Sequence, residues 1–271
     1  MRPGFLISVL ALTALVLPCR CASAASAGNS TGQILKLGGG AGHAATGDAA
    51  TAFSGDATAM FWNPAGLAFL DGCSLIGGRS LLFQSVNYNV GSAACRAGRF
   101  GSFGAGWQML DYGDITALDN TGAVDGSFSP ADTVYSGSWG GKITRNIAFG
   151  LTAKRVTVKI EEYGTAYAAD AGIMARFSSF SAGAAVRNVA RKIKINDTPE
   201  KLPQTVKAGA RAELYGLAFM MDVNSSKDAF WLAGGAEYAF FQDGSGVPVM
   251  FRAGYSTRRR TGGYNYTVGV G

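Results

Sequence analysis

The chain has 271 residues, of which 39 are glycine, 48% are apolar and only 15% are charged, with a formal net charge of +6. Ordinary proteins carry about 7% Gly and about 25% charged residues, so this balance excludes a disordered chain, a coiled coil or a collagen. A single histidine leaves no ligands for a multi-His zinc site and little for His-dependent chemistry. An enzyme is thus the less expected reading, and no cofactor and no metal are expected.

Residues 1–24 read as a secretory signal peptide: Arg2 gives a short positive end, Phe5 to Leu17 an apolar run, and Ala22-Ser23-Ala24 an A-x-A cleavage site. The run is shorter than the roughly 20 residues a membrane-spanning helix needs. Cys19 and Cys21 follow Pro18 and Arg20 rather than the small residue that lipoprotein processing requires, so both leave with the signal. Cleavage removes Arg2 and Arg20 and no acid, and the exported mature chain begins near Ala25. Export permits disulfides. Cys73 and Cys95 flank a hairpin centred near Gln84, where a cross-strand bridge and two buried thiols on neighbouring strands both fit.

The stretch from 25 to 70 does not alternate like a strand. After Ile34 to Leu37 come Gly38-Gly39-Gly40-Ala41-Gly42 and an Ala/Thr/Gly tract. Asp56 caps a short helix over Ala57 to Phe61. Asn63 then caps a second, with Pro64 at its first position, over Ala65 to Leu70. Gly40-Ala41-Gly42-His43-Ala44-Ala45 matches a dinucleotide fingerprint only formally, since no βαβ unit follows. His43 reads as a solvated loop residue rather than a pH sensor.

From about residue 71 the chain alternates with period two. Val206, Ala208, Ala210, Ala212 and Leu214 share one face, while Thr205, Lys207, Gly209, Arg211 and Glu213 share the other. About twelve such segments follow, at 72–83, 86–97, 101–110, 132–143, 146–159, 165–177, 180–189, 203–214, 217–224, 229–241, 247–256 and 263–271. Most run about 8 to 14 residues, against the 9–11 a tilted strand needs to cross a bilayer. Connections after even strands are short, as at Ser178-Ser179 and Tyr215-Gly216, while 111–131 and 190–202 are long. That parity predicts periplasmic turns and outer loops, although the first connection, Gln84-Ser85, is short where a long one is expected. A soluble barrel would put its apolar face in a dry core. Here the polar face is rich in Gly and carries both signs, with Asp170, Arg176, Lys207, Arg211, Glu213, Asp222, Glu237 and Arg252. The prediction is an all-β transmembrane antiparallel barrel, its charges toward a small lumen, with residues 25–70 as a hatch in its mouth.

The run Asp56-Ala57-Thr58-Ala59-Met60-Phe61-Trp62-Asn63-Pro64-Ala65-Gly66-Leu67 resembles the N-terminal signature of the PorV/PorQ proteins, relatives of the FadL outer-membrane transporters. Ala185-Val186-Arg187-Asn188, Leu202-Pro203, Gly235-Ala236-Glu237-Tyr238 and Arg252-Ala253-Gly254-Tyr255 extend it over most of the mature chain. The resemblance implies a 14-stranded outer-membrane barrel with a hatch, which either carries hydrophobic molecules or serves type IX protein secretion. Family members end in an aromatic strand whereas this chain stops at Gly271, so the resemblance implies that the barrel over 71–271 lacks its C-terminal hairpin, the alternative being a complete 12-stranded barrel with a poor insertion signal.

Met60, Phe61, Trp62, Asn63 and Pro64 are the candidate ligand and hatch residues, either gating a hydrophobic solute or anchoring the hatch to the wall. A transporter should show an apolar pocket at Met60 to Trp62, whereas a scaffold should show a blocked lumen and ordered apolar outer loops. Phe128 is the one aromatic in 120–131, which leans against a sticky docking loop. Glu161-Glu162 reads as a solvated outer loop rather than a catalytic pair. Arg258-Arg259-Arg260 reads as a solvated basic tip, the alternative being attraction to lipopolysaccharide headgroups. The expected partners are outer-membrane lipid and lipopolysaccharide, with a hydrophobic ligand or a secreted protein. Nucleic acid is excluded by the scatter of the basic residues and by export.

Overall fold

The computed structural model describes residues 31–82, 86–119, 121–159, 163–190, 193–195, 198–227, 229–240, 249–258 and 265–271. The signal segment, Gln84-Ser85, Glu161-Glu162, Arg259 and Arg260 lie outside the described residues.

The first strands are β1 (Cys73–Leu81), β2 (Asn87–Arg96), β3 (Ser102–Asp111), β4 (Ile115–Leu118), β5 (Val124–Phe128) and β6 (Ala131–Lys142). Next come β7 (Ile147–Lys159), β8 (Tyr163–Arg176), β9 (Phe180–Ala190), β10 (Ile193–Ile195) and β11 (Thr198–Glu200). The last are β12 (Thr205–Leu214), β13 (Leu217–Ser226), β14 (Phe230–Phe240), β15 (Val249–Ser256) and β16 (Tyr266–Val270). Twelve of them form one antiparallel sheet in the order β1-β2-β3-β6-β7-β8-β9-β12-β13-β14-β15-β16. These are the twelve alternating segments read from the sequence, each within a few residues. The long connections differ from the expected plain loops, because each folds on itself as a small hairpin, β4–β5 or β10–β11. Among the described residues β1 and β16 are not paired with each other, so the barrel wall is open along that seam.

Burial along the strands is inverted relative to a soluble sheet. In β7, Ala148, Gly150, Thr152, Lys154, Val156 and Val158 are buried, while Ile147, Leu151, Ala153 and Arg155 are exposed. In β13 Phe219 and Met221 are about half exposed, whereas Asp222 is 1% exposed. Leu75, Tyr167, Ile173, Val206, Phe251 and Tyr255 continue the apolar outer face. Buried charges such as Lys154, Asp170 and Asp222 inside and large apolar side chains outside, Arg155 of β7 excepted, is the arrangement a bilayer stabilises and water does not.

What buries the inner face is the segment 31–70, and the wall wraps it. Ala57 N–H donates to Ser74 Oγ of β1 at 3.1 Å, and Tyr88 Oη of β2 donates to the Gly38 carbonyl at 2.9 Å. Ser181 Oγ of β9 donates to the Ala52 carbonyl at 2.8 Å, and Gly47 N–H donates to Thr267 Oγ1 of β16 at 3.2 Å. The segment thus touches both edge strands and the strands between them. Its own core is Ile34, Met60, Phe61 and Leu67, all essentially without exposure.

Glycines on the inner face permit that approach, because a strand glycine lets another backbone come close. A β-carbon added at Gly140 would lie 2.7 Å from the Pro64 carbonyl oxygen, and one at Gly183 2.6 Å from the Thr51 oxygen. Gly140 pairs with Gly150, Gly150 with Gly172, and Gly183 with Gly209, so these positions form a belt across neighbouring strands.

Cys73 and Cys95 are register partners on β1 and β2 and are joined by a disulfide. Both residues are exposed on the outer face, so the alternative of two buried thiols does not hold.

Candidate functional site

The two capped turns form as their sequences direct, as 3-10 helices. Asp56 accepts from Thr58 N–H at 2.7 Å and starts Ala57–Phe61. Asn63 accepts from Ala65 N–H at 3.1 Å and starts Pro64–Phe69, with Pro64 at its first position as expected and its end one residue short of Leu70. The same Asn63 amide donates to the Thr51 carbonyl at 2.9 Å and to the Ile173 carbonyl of β8 at 3.1 Å. One side chain therefore caps a helix, ties the hatch to itself and fastens it to the wall.

Met60, Phe61 and Trp62 follow as a buried cluster, exposed by 0%, 1% and 3%. The Trp62 indole N–H donates to the Gly39 carbonyl at 3.0 Å. Its ring lies against Gly38, and the Phe61 ring against Gly39 and Gly106. The geometry is that of wall anchors in a filled core rather than of side chains along an open pocket.

The lumen-facing charges separate into two groups. In the first, Asp222 of β13 accepts from Ala50 N–H at 3.1 Å, from Thr51 N–H at 3.1 Å and from Thr51 Oγ1 at 2.6 Å. Lys207 Nζ completes that shell at 3.3 Å and sits 4.5 Å from the centroid of the Trp62 ring. Nearby, Asp170 pairs with Lys154 at 2.6 Å, with Arg187 4.0 Å away and 5.7 Å from the Trp62 ring. Cations stacked over an indole face in a desolvated site are attractive contacts. Trp62 is thus clasped between the hatch and two wall cations.

In the second group, nearer the short-turn end, Glu237 accepts from Arg252 at 2.7 Å and from Arg211 at 3.2 Å, and Arg211 lies 3.7 Å from Glu213. The Glu213 side chain is mostly exposed at the rim. Arg176 stands apart, with its guanidinium 5.6 Å from the Phe69 ring centroid at the mouth.

His43 is corrected. It is buried rather than solvated, with Nε2 2.9 Å from Thr58 Oγ1 and its ring edge-on to Phe53 and Trp62. Burial lowers its pKa to about 4, against the pull of Asp56 and Glu237.

Lys154, Arg187, Asn188 and Thr51 belong to the same buried polar network and were missed by the face-by-face reading. Lys154 was available from the alternation of β7. Arg187 and Asn188 were not, because a β-bulge lets two consecutive residues enter the lumen. Asn188 has a positive φ of 58°, and the register of β8 with β9 shifts opposite it. The Asp170 carboxylate accepts its N–H at 2.7 Å, and its own side chain accepts from Lys154 at 3.0 Å. Bulges break the two-residue period and re-aim side chains. Among the described residues no group of His, Cys, Asp and Glu is placed to hold a metal ion.

No protein-family model matches the sequence, and no curated protein matches it. Among solved structures the chain is similar to the CymD monoaromatic hydrocarbon channel, with a TM-score of 0.46 and 15% identity, over 81% of this chain and 92% of that one. That likeness carries no argument about ligand or mechanism.

Proposed function

We propose that the protein is an outer-membrane β-barrel that passes hydrophobic small molecules, without catalysis, and that the hatch is its gate. The observation that supports a gate is the latch at Asp222. The hatch is held there by hydrogen bonds from Ala50 and Thr51 to a carboxylate that Lys207 of the wall pairs with, contacts that can exchange for water. The inverted burial of the wall supports the membrane setting. The cargo class rests on the sequence resemblance around Asn63-Pro64-Ala65 to FadL-type transporters. The filled core at Met60 to Trp62 is the blocked lumen expected of a scaffold rather than the open apolar pocket of a transporter, so the transport reading requires the hatch to move, and the polar latch at Asp222 is what supports that movement.

Asp222→Ala tests the gate. It removes the acceptor of three hatch donors and leaves Lys207 buried without its partner. In cells with an outer membrane that express the exported full chain, uptake of the apolar dye N-phenylnaphthylamine should exceed that of cells lacking it, and Asp222→Ala should raise uptake further. Correct insertion is checked by a shift between heated and unheated samples on a gel. Inserted protein of either form that leaves dye uptake at the level of cells without it would overturn the transport reading.

A further inference from the structure

A groove of about 540 Å³ lies on the outer face at the short-turn end. Its size falls within the range of small-molecule sites, roughly 300–1,000 Å³. Phe100, Phe103, Trp139, Ile143 and Phe149 line it, and Arg99 stands at its rim. Two short turns frame it, residues 97–101 before β3 and 143–146 after β6, brought side by side because Ser102 pairs with Gly140.

The groove is built rather than accidental. The Trp139 indole N–H donates to the Phe100 carbonyl at 2.8 Å, which fixes the first turn to β6. Gly101, at a φ of 87°, allows that turn to lie directly on the Gly140 backbone. Gly141 leaves space for the Trp139 ring, because a β-carbon there would lie 2.5 Å from it. Phe100 and Ile143 nevertheless remain 62% and 66% exposed, apolar area that water would disfavour.

Charge identifies the occupant. The two turns carry Arg99 and Arg145, both exposed, and no acid. Lys142 follows at the end of β6, its ammonium turned 5.0 Å from the Phe69 ring. The nearby Asp71 is already engaged by Arg96 at 3.2 Å. An aromatic floor continuous with the lipid-facing wall, rimmed by uncompensated guanidinium at the interface level, matches an acyl chain below an anionic headgroup. We propose that this groove seats one anionic glycerophospholipid of the inner leaflet, its acyl chain on Phe103, Trp139 and Phe149 and its phosphate against Arg99.

The proposal rests on the membrane reading of the outer face. The full chain, inserted into nanodiscs of equal dioleoyl-phosphatidylglycerol and dioleoyl-phosphatidylcholine and released into the mass spectrometer, should retain one phosphatidylglycerol in preference. Arg99→Ala, in an exposed turn, should lower that preference about tenfold, the worth of one charge-assisted hydrogen bond. Arg155→Ala, which removes an outward charge far from the groove, should leave it unchanged. An inserted wild type with no lipid preference, or an equal loss in the Arg155 variant, would overturn the site alone. A chain that stays folded in water and never inserts would overturn the membrane reading and the site together.

Discussion

His43 is a buried imidazole held neutral by its surroundings, which turns its titration into a stability effect. Its folded-state pKa of about 4 lies below the ordinary 6.5, so between those values the unfolded chain binds the proton that the folded chain refuses. Stability is therefore full above pH 6.5 and falls as the pH drops toward 4, by on the order of 3 kcal/mol in all. The denaturant midpoint of the detergent-folded protein should decline across that window, and His43→Gln should flatten the profile. A flat wild-type profile would show that burial does not hold the ring neutral. Residue by residue, the two caps at Asp56 and Asn63 were legible because an N-cap is a local chemical rule. The burial of His43 was not, since it depends on Phe53, Thr58 and Trp62 closing around it, and a Gly/Ala-rich flank resembles a loop from sequence alone.

At the scale of elements, the inner glycines do the work that large side chains do in an ordinary core. They leave the hatch backbone room, and the hatch in turn removes the inner face from water. Gly172 of β8 faces the Asn63 amide, whereas Gly137 of β6 faces outward with nothing within 4 Å. Gly172→Ala should destabilise the folded protein by about 1–3 kcal/mol through overpacking. Gly137→Ala should change it by less than about 0.5 kcal/mol. Equal effects on the denaturation midpoint would mean that the belt is not a contact surface. The strands themselves were readable because alternation is a property of each segment taken alone. Two elements escaped for the opposite reason. The bulge at Asn188 is specified by the Asp170 carboxylate on the neighbouring strand, and the hairpins β4–β5 and β10–β11 are too short for a period to emerge.

For the whole molecule the inverted wall has a direct test. Leu151 stands mid-strand on the outer face of β7, 47% exposed. Leu151→Arg should cost roughly 2–4 kcal/mol of folding free energy in a bilayer, the penalty for a cation on a barrel's lipid face near the midplane. On a water-facing sheet the same change would be nearly neutral, so a negligible effect on folding into vesicles would overturn the membrane reading. Sequence alone carried this architecture far, because both the lengths and the polarity of the faces are set by the solvent. Closure was beyond it, since pairing of edge strands is a property of the assembled sheet. The contact between Gly47 and Thr267 bears on assembly. It joins residues 220 positions apart, and contacts of such separation slow folding because a long loop must close first. The hatch leads the wall in chain order, yet its last partner is supplied only by β16. The residues around Gly47 must remain unsatisfied, and open to proteolysis or rescue by a chaperone, until β16 has arrived.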